Sequence, residues 1–171
     1  MFKKLVYLVK VLYATGKIQK ATGRIDTYID NLKAEEEIML DGNKIKITTD
    51  DTSVWASGFR YGLCSYSNLS GEMIFSIVKE TKVAKLGIED FVIQHEIGHL
   101  TNEIFNNPLF WLSTPIRTLS NECAADLYAA EQIGFDKAIE ALKILSKDST
   151  VDRFEINSRI NYLEMKKDES K

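Results

Sequence analysis

The sequence predicts one α+β domain over residues 1–171, with N-terminal helices, a small, mostly antiparallel sheet, and then a helical C-terminal part. Two changes of period and one turn signal carry that prediction. Apolar residues recur at helical spacing up to residue 37, alternate with polar ones around Asp41-Gly42 in a sheet region over 38–80, and return to helical spacing over 86–166. No stretch rich in Gly, Ser or Pro divides the chain, and 44% hydrophobic residues suffice for one core at this length.

The opening MFKKLVYLVKVLYATGK puts Phe2, Leu5, Val6, Val9, Leu12 and Tyr13 on one side of a helix. Lys10 interrupts the apolar run, and a membrane span needs about twenty apolar residues, so the segment reads as an amphipathic helix packed on the domain. Docking on a membrane surface is the lesser alternative. Residues 22 to 37 read as a second helix around Ile25, Tyr28, Ile29 and Leu32, closing on Glu35, Glu36 and Glu37. Asp41-Gly42 between IML and KIKITT is a hairpin signal. Val54 to Tyr66 is rich in aromatic and β-favouring residues, and Glu72 to Lys79 reads as a strand.

A net charge of −3, with lysines and arginines dispersed among acids, excludes the basic stripe that nucleic-acid binding requires. Cys64 and Cys123 read as free thiols rather than a disulfide, and with no apolar span the expected location is cytoplasmic.

The chemistry is concentrated in FVIQHEIGHL, residues 91 to 100. The only two histidines of the chain, His95 and His99, stand four apart with Glu96 directly after the first, the zinc-peptidase signature HExxH. Chance would produce that arrangement in roughly one sequence in a thousand of this composition. Four residues is a little over one helical turn, so both imidazoles leave one face and can reach one metal ion. Ile88, Phe91 and Val92 share that face, which would be buried. Glu96 then sits beside the metal as a general base, taking a proton from the attacking water and returning it to the leaving amine.

A third ligand is needed, and SNECAADLYAAEQIGF offers Glu122 and Asp126 on a second helix, again four apart. Glu122 lies 23 residues after His99, enough for one helix to stop, a loop through Asn106, Asn107, Pro108 and Pro115 to turn, and another helix to return. Asp126, one turn on, would accept the second N–H of a ligating imidazole and fix its tautomer. Glu103 is a weaker rival, since three successive turns of one helix diverge from a single ion.

HEIGH followed by NECAAD resembles the gluzincin pattern of HExxH followed by ExxAD. More narrowly, ADLYAAEQIGFDKAIEALKIL and SRINYL are similar to the HtpX-type peptidases and their CAAX prenyl endopeptidase relatives, over about residues 70 to 164. The resemblance implies a zincin-like domain and a zinc endopeptidase acting on peptides or unfolded protein, with His95, His99 and Glu122 on the metal, Asp126 behind it and Glu96 as base. It also places Met73 to Val78 on an edge strand that aligns substrate backbone. Arg153 and Phe154 stand where the family often has a late His-Pro, while Arg159, Ile160 and Leu163 hold its R-I-x-x-L positions. Arg153 or Arg159 would steady the oxyanion, or else make helix ion pairs with Glu155 or Glu164. The long apolar helices of the family's membrane members are missing, so the chain resembles a reduced form similar to the minigluzincins.

The alternatives are a narrow regulatory protease cutting one partner, and a latent or noncatalytic zinc-binding module. For latency, Cys64 would cap the metal's open position; a buried small residue is the simpler role for it.

Overall fold

The computed structural model describes residues 28–29, 31–52, 54, 61–67, 74–105 and 118–170, with the backbone alone over 103–105. The expected helix over Phe2 to Tyr13, Met73, and loop residues 106–116 lie outside them. Among the described residues, four strands precede five α-helices: β1 Glu36–Leu40, β2 Asn43–Thr49, β3 Gly62–Ser67, β4 Ile74–Lys79, α1 Thr81–Leu86, α2 Glu89–His99, α3 Leu119–Ile133, α4 Phe135–Leu145 and α5 Arg153–Glu169. A π-helical turn, Leu100–Phe105, continues directly from α2.

Asp41 and Gly42, at φ 50° and 77°, close β1 onto β2 with Leu40 paired to Asn43. Two successive left-handed residues give the tight turn whose twist suits a hairpin. The hairpin claims Glu36 and Glu37, which the helical pattern of residues 22 to 37 places at the end of a helix. They pair with Ile47 and Lys46, and Glu37 also meets Lys44 at 2.8 Å across the strands. Ladder bonds and an opposite charge override the helical preference of glutamate. In the preceding segment, helical backbone is described at 28–29 and 31 only.

The strand order is β1-β2-β4-β3, with β1–β2 and β3–β4 antiparallel and β2–β4 parallel. The sheet is therefore mixed. Val54 falls in a helical turn rather than the expected strand, which begins at Gly62. β4 lies between β2 and β3, so the edge position expected for Met73 to Val78 does not belong to it.

Burial explains where α2 sits. Ile45, Ile47, Phe75 and Ile77 of the sheet pack with Ile97 of α2 and with Leu100. On its other side α2 contributes Phe91 and Val92 to a second cluster with Ala129 and Ala130 of α3, Leu142 of α4, and Ile156, Ile160 and Leu163 of α5. A third cluster, Ile29, Val54, Leu63 and Val78, covers the far face of the sheet. With apolar residues packed on two sides, α2 is an interior helix between sheet and helical layer. Its N-terminus is tied to the sheet by Lys79, which meets Glu89 at 2.9 Å, Glu35 at 3.0 Å and Thr49 at 2.7 Å. Among the described residues no helix is long and apolar enough to cross a membrane.

Candidate metal centre

The last two turns of α2 face the first two turns of α3. What lets them close is Gly98: a Cβ there would meet Ala125 Cα at 2.8 Å and its carbonyl oxygen at 2.9 Å. Neither residue was singled out from the sequence. The cue was a glycine inside HEIGH and two small residues inside NECAAD, each of which also has a bland helical reading.

His95 Nε2 and His99 Nε2 are 3.1 Å apart, and the Glu122 carboxylate oxygens stand 3.5 Å from each. All three ligating atoms lie within 4.8 Å of one another, a group that could hold a metal ion. A four-coordinate ion with ligand bonds of about 2.0–2.1 Å separates neighbouring donors by about 3.3 Å, so the observed spacings fit. The donor set fits as well. His95 Nδ1 is 2.8 Å from Asp126 Oδ1, which makes Nδ1 the protonated nitrogen and turns the Nε2 lone pair toward His99 and Glu122. Asp126 thus stands against the ring nitrogen of His95 that points away from His99 and Glu122.

Asp126 is fully buried, and Arg159 is nearly so. From α5, Arg159 Nε donates to Asp126 Oδ2 at 2.6 Å and Nη2 to Oδ1 at 2.7 Å. Its Nη1 lies 3.0 Å from Glu122 Oε2 and 3.6 Å from Glu155 Oε1. Every guanidinium nitrogen thus faces a carboxylate, so Arg159 braces the acids of α3. The ion pair with Glu155, weighed from the sequence, is present. Arg153 is exposed in the first turn of α5 and, among the described residues, makes no ion pair with the cluster.

These contacts set the charges. Burial alone would raise the Glu122 carboxyl, but hydrogen bonds to both histidines and the Arg159 charge hold it far below the usual carboxylate range. Asp126 is likewise held low against its burial, first by the Arg159 charge. Burial would depress the His95 imidazole, yet the Asp126 and Glu122 carboxylates raise it above its ordinary value. Burial pushes the Cys123 thiol up, so beside Glu122 it is a neutral packing group. Cys64 packs against the apolar layer between sheet and α2 and is not among the clustered donor atoms.

Glu96 is buried on the same two turns, at 8% exposure. The strand that meets it is β3: a Cβ on Gly62 would stand 2.7 Å from Val92 Cγ1 and 3.1 Å from Glu96 Oε1. The preceding residue, Tyr61, holds φ 69°, a costly conformation for a bulky side chain. Its surroundings fix it there. The Tyr61 N–H donates to Glu80 Oε2 at 3.2 Å, its carbonyl accepts from the Glu80 N–H at 2.9 Å, Lys82 lies 4.0 Å over its ring, and its hydroxyl donates to Asp148. The side chain of Glu103 lies outside the described residues.

No protein-family model, curated protein or solved structure matches this chain.

Proposed function

We propose that the protein is a zinc-dependent endopeptidase of the gluzincin type, related to the HtpX-type and CAAX prenyl endopeptidases, that hydrolyses peptide bonds in peptides or unfolded protein. The observation that carries this reading is the clustering of buried His95 and Glu122 with half-buried His99, their donor atoms at ligand spacing, beside buried Glu96 on the helix of the histidines. A structural site has no need of a buried carboxylate next to its ligands, whereas hydrolysis needs a base.

Zinc bound by His95, His99 and Glu122 would supply a Lewis acid that polarises the scissile carbonyl and acidifies water. The chain's residues do the rest. Glu96 accepts the proton of the attacking water on its carboxylate and returns it to the departing amine nitrogen. Asp126 keeps the His95 proton on Nδ1, leaving Nε2 free to ligate. The Tyr61–Gly62 corner packs β3 against Glu96, and an extended substrate would pair along β3. Arg159 is committed to carboxylates, which leaves oxyanion stabilisation to other groups.

The test is cleavage of unfolded casein by zinc-loaded wild type beside Glu96→Gln, with metal content measured on both. Cleavage by wild type alone, with one zinc in each, is the expected result, and the variant's loss is expected to be at least 100-fold. Equal cleavage by Glu96→Gln would overturn the assignment of the base, and no zinc in wild type would overturn the metal reading.

A further inference from the structure

We propose that Arg159 is a built-in countercharge that lets the centre fold without metal, at a cost in metal affinity. This inference rests on the metal reading of His95, His99 and Glu122. Two carboxylates, Glu122 at 5% exposure and Asp126 at 0%, are taken out of water on one helix. A buried carboxylate is tolerated only when its charge is matched. In many small metal sites the ion itself supplies that match, and the apo chain unfolds. Here a guanidinium at 4% exposure reaches both acids from another helix, with two bonds to Asp126 and one contact to Glu122.

The contact is asymmetric in a useful way. Arg159 lies against Glu122 Oε2, which also stands 3.5 Å from His95 Nε2, while Oε1 is the oxygen turned to His99 Nε2, at 3.5 Å. Oε1 can therefore ligate while Oε2 stays with Arg159, and the bracket survives loading. A fixed positive charge adjoining the ligand repels a dication, however, through an interior that screens poorly. Arg159 therefore stabilises the metal-free state more than the loaded one. It acts by holding ligands rather than by touching substrate, so it is a positioning residue.

The experiment compares full-length wild type, Arg159→Met and Arg159→Lys by thermal melting in chelator and in excess zinc, with zinc affinity from competition against a chromophoric chelator. Wild type is expected to retain its helical circular dichroism and a cooperative melt in chelator. Arg159→Met should lose roughly 10 °C in chelator but less than half that in zinc, because the ion replaces the missing charge. Its zinc affinity should be about tenfold tighter than that of wild type, as linkage between those two losses requires. Arg159→Lys, which keeps the charge, should bind zinc within about threefold of wild type. A purely structural arginine would lower both melts equally and leave the zinc-induced shift unchanged. That result, weaker zinc binding by Arg159→Met, its failure to fold even in zinc, or unfolding of wild type in chelator would each overturn the proposal. Failure of wild type to take up one zinc would instead remove the site reading on which it rests.

Discussion

Gly98 and Ala125 touch backbone to backbone: a Cβ on the glycine would stand 2.8 Å from the alanine Cα. The helix that carries the histidines and the helix that carries Glu122 are closer there than any side chain at position 98 would allow. Ligand spacing is therefore a packing outcome. Gly98→Ala is expected to force the helices apart, lowering stability by about 1–3 kcal/mol and weakening zinc binding. Urea unfolding together with a zinc titration checks both; a variant with unaltered zinc affinity would separate the contact from the site.

Gly62→Ala addresses the opposite wall. The added methyl would meet Val92 at 2.7 Å and Glu96 Oε1 at 3.1 Å, and none of the three candidate ligands is among the nearest atoms. Peptide cleavage is expected to fall at least tenfold with zinc stoichiometry unchanged, since the displaced group is the base and not a ligand. Loss of zinc in this variant would show that β3 supports the ligands too.

Asp126→Asn removes a charge that two partners share. Arg159 is left buried with less compensation, and the partner of His95 Nδ1 is weakened. The expected cost is about 3 kcal/mol in stability and 10–100-fold in zinc affinity. Chelator competition measures the second; an unchanged affinity would mean that the His95 tautomer does not depend on Asp126.

The bond between Tyr61 and Asp148 carries a pH signature. Asp148 is held below its ordinary value of 3.8, chiefly by its hydrogen bonds from Thr150 and Tyr61. A carboxyl depressed in the folded state stabilises it above the unfolded value and loses that contribution as pH falls toward the folded one. Asp148→Asn should therefore cost about 1 kcal/mol near neutral pH, and the gap to wild type should close as pH drops below 3.8. A gap that persists unchanged into strong acid would indicate that packing, not charge, is lost.

Spacing made half of the centre legible. His95 and His99 fall one turn apart, and so do Glu122 and Asp126, and a four-residue interval fixes a shared helix face whatever the tertiary fold. Other relationships had no local cue. Whether β2 and β4 run parallel depends on where the chain travels between Asp50 and Gly62. Glu36 and Glu37 look helical in isolation and become a strand because Ile47 and Lys46 come back to pair with them. The sequence neighbourhood of Arg159 carries no sign of the two carboxylates it meets, 33 and 37 positions earlier. Cys64, for which a small packing residue is the simpler sequence reading, lies half-buried against the apolar layer.

The Asp126 carboxylate faces His95, 31 residues before it, and Arg159, 33 residues after it. Each helix can form early from local contacts, but nothing local brings these three together; the closing of both long loops has to come first. A half-folded chain thus has secondary structure without an assembled centre. Until α5 has docked, the Arg159 contacts to Asp126 and Glu122 are missing, so the candidate centre is complete only in the fully packed fold.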